Sequence, residues 1–292
     1  MKLEIYIQPH RHIEYIAEKR RQNYVPYVPM WLMFGFLFLT HSQVNSQAPL
    51  KKIKEIKSSE VVLATVDRLG DFFLVTKNGT IKKYDPQGKV MASLKEKNTT
   101  LLEPWYHPSI FTYDKKKQSY ATYGRNFENE KQTAVEPAWA IEPSLVCPSN
   151  DNKLWLFDQA DASLKKVNPF TNEVLIEFNL DTIKFKTKPD FTHLREYQSM
   201  IFLLDKNSGI VILNNIGKQI NKIEQAGIGN FNFFGEELYY LDGSSIKLFD
   251  LYTEEIREIK IEGENKFALV TDERIILVSR KNGVTVYEFK PL

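Results

Sequence analysis

Phe72-Phe-Leu-Val-Thr-Lys-Asn-Gly-Thr-Ile-Lys-Lys-Tyr-Asp85 reads as an apolar run, a polar Lys-Asn-Gly turn and a second, alternating run that ends on an acid. The same pattern recurs at Ile110-Phe-Thr-Tyr-Asp114, Leu154-Trp-Leu-Phe-Asp158, Ile201-Phe-Leu-Leu-Asp205, Leu238-Tyr-Tyr-Leu-Asp242 and Ile275-Ile-Leu-Val-Ser279. Taking Thr76, Asp114, Asp158, Asp205, Asp242 and Ser279 as the closing residues, the intervals are 38, 44, 47, 37 and 37 residues. Short strands repeating at such a period read as the blades of a β-propeller, because one small sheet cannot bury both faces until its neighbours stack on it. Six copies predict an all-β chain folded as a six-bladed propeller.

Within one unit the sequence predicts an inner strand at Asn230 to Phe234, a second at Leu238 to Leu241, a third at Ile246 to Phe249 and an outer strand at Glu255 to Ile261. Asp242-Gly, Lys206-Asn-Ser-Gly209, Lys77-Asn-Gly79 and Lys281-Asn-Gly283 fall between second and third strands, where Gly and Asn supply the positive φ of a tight hairpin. The last copy ends one strand short, while Leu50-Lys-Lys-Ile-Lys-Glu-Ile-Lys57 alternates like the outer strand Thr253-Glu-Glu-Ile-Arg-Glu-Ile-Lys260. That segment is therefore expected to complete the last blade and close the ring, since an open ring leaves strand edges unpaired. A β-sandwich also gives short strands and Gly-rich turns, but rarely repeats one pattern at one period.

Trp31-Leu-Met-Phe-Gly-Phe-Leu-Phe-Leu39 is the most apolar stretch and is about half the length a membrane-spanning helix needs. Small and polar residues follow it, His41 to Ala48, the layout of a secretory signal with cleavage expected after Ser46. Residues 1–29 are long and polar for such a signal, and Met30 and Met33 are alternative starts. The expected organisation is a leader at 1–46 and one propeller domain at 47–292, with the product exported to the periplasm or beyond. Residues 1–46 hold five of the 39 Lys/Arg and three of the 37 Asp/Glu, so the remainder carries 34 of each. A neutral domain gives no general attraction for nucleic acid or for an anionic membrane. Cys147, the single cysteine, allows no intrachain disulfide and is expected to be buried.

Beyond the leader only His107 and His193 remain, read as surface or loop residues without a metal-binding partner. No nucleophile elbow, Walker A loop or dinucleotide fingerprint occurs, so no cofactor, metal or catalytic residue is expected. Asp151, Asp158 and Asp161 are close enough to suggest a glycosidase pair, but their positions at a strand end and in the following turn favour a turn role.

Two segments depart from the repeat. Leu102 to Ser144 concentrates Trp105, Tyr106, His107, Tyr113, Tyr120, Tyr123, Phe127 and Trp139 with Arg125. Of these, Trp105, Tyr106, His107, Arg125 and Trp139 are the candidate ligand- or partner-binding residues, since aromatics among polar groups anchor partners or stack on sugars; the competing role is packing between blades. Asp181 to Asp190 lengthens one interval to 47 and alternates Lys184, Lys186 and Lys188, either a recognition loop or an edge strand guarded by charge.

Tyr84-Asp-Pro-Gln-Gly-Lys-Val90 and Leu213-Asn-Asn-Ile-Gly-Lys-Gln-Ile220 resemble the third-to-fourth strand turn of NHL-type and related six-bladed propellers. The Trp-Asp and Gly-His marks of WD repeats and the tryptophan docking motif of quinoprotein dehydrogenases are missing. The resemblance implies a binding platform: an interaction module or accessory subunit of a cell-envelope assembly, whose protein partner would be an outer-membrane channel or translocon. The plug protein of the type 9 secretion translocon is one example of such a subunit. The alternative is a carbohydrate-binding or carbohydrate-active protein with an aromatic-lined face. Nucleic acid and stable membrane insertion after loss of the leader are not expected.

Overall fold

A computed structural model describes residues 50–105, 109–281 and 283–290, so the expected leader, Tyr106 and His107 lie outside the described residues. Lys51–Lys57 forms β1. Blade 1 follows as β2 (Val61–Val66), β3 (Phe72–Thr76), β4 (Thr80–Tyr84) and β5 (Val90–Lys95), and blade 2 as β6 (Leu101–Glu103), β7 (Ile110–Asp114), β8 (Ser119–Tyr123) and β9 (Lys131–Ala134). Blade 3 is β10 (Pro143–Pro148), β11 (Leu154–Asp158), β12 (Ser163–Asn168) and β13 (Glu173–Asn179). Blade 4 is β14 (Phe191–Tyr197), β15 (Met200–Asp205), β16 (Gly209–Leu213) and β17 (Gln219–Ile223). Blade 5 is β18 (Phe231–Phe234), β19 (Glu237–Asp242), β20 (Ser245–Asp250) and β21 (Ile256–Lys260). Blade 6 is β22 (Asn265–Val270), β23 (Arg274–Ser279) and β24 (Gly283–Glu288), completed by β1 in the order β22-β23-β24-β1.

The chain is thus a six-bladed propeller of four-stranded antiparallel sheets. Its closure is the expected one: β1 lies antiparallel to β24, with Lys51 opposite Glu288 and Lys57 opposite Gly283. The anchors of the repeat are the last residues of the second strands β3, β7, β11, β15, β19 and β23. Among the described residues the only helical element is one 3-10 turn, Leu180–Thr182.

The core is a ring of seams rather than a single centre, because each blade hides its faces only against its neighbours. Phe73, Ile81, Leu102 and Tyr123 fill the seam between blades 1 and 2, and Phe202, Phe231, Phe233 and Leu238 that between blades 4 and 5. Phe72, Leu74, Leu269 and Val286 fill the seam between blades 6 and 1. Side chains also stitch successive blades: the Tyr113 hydroxyl donates to the Pro143 carbonyl, Trp155 Nε1 to Glu196 at 2.6 Å, Tyr197 to the Gly235 carbonyl at 2.6 Å, and Lys266 to the Val61 carbonyl at 2.8 Å.

Strand alternation creates two distinct rims. Turns between first and second strands and between third and fourth strands lie on one face, the turn face. Turns between second and third strands and the blade-to-blade connections lie on the other, the connection face.

Removing Leu50 to Lys57 strips the outer strand from blade 6 and exposes the β24 edge. We expect the melting temperature to fall by on the order of 10 °C, the shift that a loss of a few kcal/mol produces in a domain of this size. An unchanged melt in a thermal scan would falsify closure as a source of stability.

Candidate functional site

The inner strands β2, β6, β14 and β18 bring Thr65, Glu103, Arg195 and Asn232 to the ring axis, all buried. Arg195 Nε donates to Glu103 Oε2 at 2.6 Å and its Nη2 to Glu103 Oε1 at 3.2 Å, a bidentate pair. Its Nη1 reaches Asn232 Oδ1 at 2.7 Å and the Phe231 carbonyl at 3.4 Å, and Thr65 Oγ1 donates to the same Asn232 oxygen at 3.2 Å. Glu103 and Arg195 stand on blades 2 and 4, which are not neighbours. Asn230, on the connection leading into blade 5, likewise donates to the Ala64 carbonyl of blade 1 at 2.9 Å. These bonds join blades across the ring that are not neighbours, and a separate depression opens on each face.

The turn-face mouth is a cavity of about 560 Å³ whose lining includes Arg68, Leu69, Pro86, Trp105, Tyr197 and Phe233. Tyr197 stacks on Phe233 with centroids 4.0 Å apart and planes 6° from parallel, and Trp105 meets Tyr197 at 5.4 Å and 66°. The Arg68 guanidinium lies 5.3 Å from the Trp105 ring centre. Trp105 Nε1 is buried without a hydrogen-bond partner. Asp67 caps the adjoining turn by accepting from the backbone N–H groups of Leu69 and Asp71. Burial, then the neighbouring Asp71 charge, push its carboxyl above the usual range.

The connection-face mouth is wider, about 1070 Å³, and opens between blades 4, 5 and 6. Its lining is polar and carries both signs of charge, with Lys206, Lys266 and Arg280 beside Asp242 and Glu264 and the amides Asn230 and Asn265.

The residues singled out in the sequence divide between these faces. Trp105 and Arg125 belong to the turn face. Arg125 is exposed, with Nη2 3.6 Å from Asp71, and its carbonyl accepts from the buried Lys83. Trp139 lies on the connection between blades 2 and 3 and is only 2% exposed, packed in the seam. Tyr113, Tyr120 and Tyr123 are buried as well, so the aromatic richness of this region is mostly packing. Lys184, Lys186 and Lys188 are exposed on the connection face. Their segment is irregular rather than an edge strand: Ile183 and Phe185 turn inward against the core, and Lys186 faces Glu224 at 3.8 Å.

His193 is neither a loop nor a free surface residue. It sits in β14 with its ring 6.4 Å from Phe231, and burial, with the Arg195 charge, lowers it to about 4. Cys147 is buried, which drives its thiol well up. Asp158 works as a turn cap, accepting from the N–H groups of Ile141, Glu142 and Ala160 at 2.9, 2.9 and 3.1 Å and from Lys165 Nζ at 3.2 Å. Burial alone would raise its pKa, but these donors together hold it below the usual range. Asp161 is likewise tied to Ser163 and Lys165, and Asp151 to Ser149 and Lys166. Among the described residues no group of three or more His, Cys, Asp or Glu is placed to hold a metal ion.

Sequence reading missed the axial network. Its only trace is a charge inside an apolar inner strand, Leu101-Leu-Glu103 and Leu194-Arg-Glu196, with nothing to say that residues 92 positions apart would meet.

No family model and no curated protein matches the sequence. Solved structures do. The WD40 domain of Neurospora crassa Pan2 aligns over 83% of this chain and 98% of its own at 9% identity and a TM-score of 0.58. The Cps50 (Swd1) β-propeller domain of Myceliophthora thermophila aligns over 83% and 100% at 11% identity and 0.57. The extracellular domain of the putative one-component system BT4673 from B. thetaiotaomicron aligns over 80% of this chain but 34% of its own, at 12% identity and 0.51. At such identities the likeness is one of fold: the chain is a member of the β-propeller architecture.

Two measurements test the axis. Arg195→Met should cost about 3–5 kcal/mol in urea unfolding by leaving Glu103 buried and unpaired, and adding Glu103→Leu should recover most of the loss. A single variant near wild-type stability would show that the pair does not hold the ring. Below pH 6.5 the unfolded chain protonates His193 while the folded ring resists until about 4, so stability is lost as pH falls through that window. His193→Gln should flatten this part of the pH–stability curve; an unaltered slope assigns the acid sensitivity elsewhere.

Proposed function

We propose that the protein is an exported, non-catalytic propeller that serves as a protein-interaction module, an accessory subunit of a cell-envelope assembly such as an outer-membrane translocon. The buried network joining blades 1, 2, 4 and 5 carries this reading. The polar side chains at the ring centre are spent on one another, and Asp158, Asp161 and Asp151, the carboxylates closest in sequence, are tied up in turns and ion pairs. The export element of the proposal rests on the apolar stretch Trp31 to Leu39 and the polar residues after it. An extracellular domain of a sensor system from B. thetaiotaomicron has a comparable fold.

The partner surface we assign is the connection face. There the long segment between blades 3 and 4 displays Lys184, Lys186 and Lys188 beside the wider cavity, whose rim adds Lys206 and Arg280. Exposed cations on a rim steer a partner and set its on-rate more than they set final affinity. The carbohydrate alternative retains one partly open ring, Trp105, whose surface is shared with Arg68 and Tyr197.

Affinity purification from envelope membranes should recover one defined partner at fixed stoichiometry. The variant Lys184→Glu/Lys186→Glu/Lys188→Glu should reduce that recovery about tenfold, the effect expected when rim attraction becomes repulsion. Equal recovery with the variant rejects this face, and binding of purified glycans with no protein partner would favour the carbohydrate reading.

A further inference from the structure

Arg68 stands at the turn-face mouth with its charge unmatched. Arg125, Arg195, Arg257 and Arg274 each meet a carboxylate, at 3.6, 2.6, 2.5 and 3.6 Å. Among the described residues Arg68 meets none, and its guanidinium lies over the Trp105 ring instead, 5.3 Å from the centre. The ring quadrupole attracts the charge, yet the N–H donors of the guanidinium fork are left without acceptors. The turn that carries Arg68 is fixed: Asp67 accepts from the N–H groups of Leu69 and Asp71 at 2.9 and 3.0 Å, and Gly70 turns at φ 82°. A cation presented on a rigid turn has little ordering left to lose when an anion arrives.

Four blades deliver the walls. Arg68 and Leu69 come from the β2–β3 turn, Trp105 from the segment after β6, Tyr197 from the end of β14 and Phe233 from β18. The Trp105 N–H donates to Glu103 Oε1 at 2.9 Å, which ties this segment to the axial network. Tyr197 leads into a hairpin turn made by Gln198 and Ser199 at φ 48° and 63°, among the described residues the one pair of consecutive non-glycine residues in the left-handed region. Asn-Gly would make such a turn without strain, and strained backbone clusters at ligand clamps. The turn is held from the next blade, where the Tyr252 hydroxyl donates to Gln198 Oε1 at 2.7 Å. The Tyr197 hydroxyl is spent on the Gly235 carbonyl, so this residue offers the cavity ring surface rather than a polar group. Leu69, 54% exposed, adds an apolar side chain at the rim, and the cavity of about 560 Å³ has the size of a small-molecule site.

We propose that the turn-face mouth binds a small aromatic monocarboxylate, whose acid group takes the Arg68 donors and whose ring rests against Leu69, Trp105 and Tyr197. A single negative charge is favoured over several because the β22–β23 turn adds Asp272 and Glu273 to the lining, where a phosphate ester or other polyanion meets repulsion. The site lies on the other face of the ring from the partner surface proposed above and does not depend on it.

The probe is phenylacetate, titrated into the isotope-labelled full chain and followed through the indole N–H signals. The Trp105 signal, identified by its loss in Trp105→Phe, should shift and saturate at on the order of a few millimolar, the affinity open to so small a ligand, while the signals of the buried Trp139 and Trp155 stay fixed. Phenylethanol keeps the ring and lacks the charge, and should bind about tenfold more weakly or not at all. Arg68→Gln should weaken phenylacetate by about the same factor with an unaltered melt, because Arg68 is exposed. Phenyl phosphate should bind more weakly than phenylacetate. The proposal is overturned if the alcohol or the phosphate binds as tightly as the acid, if Arg68→Gln leaves the affinity unchanged, if the Trp105 signal does not move, or if glucose oligomers move it and phenylacetate does not; that last result would return the mouth to the carbohydrate reading.

Discussion

The ladder between Lys51–Lys57 and Gly283–Glu288 is the constraint on which the rest of the molecule depends. A blade is a four-stranded sheet with two faces to hide, and it hides them only if blades stand on both sides. Closing the ring through an outer strand taken from the beginning of the described chain means that blade 6 cannot be complete until both ends of the sequence have met. Stability is therefore shared around the circle. The seam between blades 6 and 1, packed with Phe72, Leu269 and Val286, joins residues about two hundred positions apart.

Closure also creates an axis, and the axis has to be filled. Inner strands converge there as the edges of their sheets, so side chains must satisfy backbone groups left without a ladder partner and must leave no charge unmatched. Arg195 does this with one planar group serving Glu103, Asn232 and the Phe231 carbonyl. Arginine suits the position because its donors form a rigid fork and its charge never titrates away. An ion pair buried in this way adds little net stability over a well-packed apolar pair, while the loss of one partner is expensive. It ties blades 1, 2, 4 and 5 to one another through buried hydrogen bonds.

The two mouths differ because antiparallel strands sort their turns. The Trp105–Tyr197–Phe233 cluster falls on the turn face, whereas the long connections, with Lys184, Lys186, Lys188, Lys206 and Arg280, fall on the other. The turn-face mouth is built around an aromatic cluster, and the connection-face mouth is polar, with amides and charges of both signs.

Blade number, strand order within a blade, the hairpin glycines and the closing strand are all legible in the sequence, because period-two alternation and turn chemistry are local and recur six times. The turn role of Asp158 is legible for the same reason. Burial is not local: Trp139 and Trp105 look alike in sequence, yet one lies in a seam and the other at a mouth, and the half-buried His193 meets Phe231 of the next blade. The meeting of Arg195 with Glu103 was decided by the tertiary structure alone. Strand alternation dictates what a residue faces within its own sheet; only closure of the ring determines what stands opposite it.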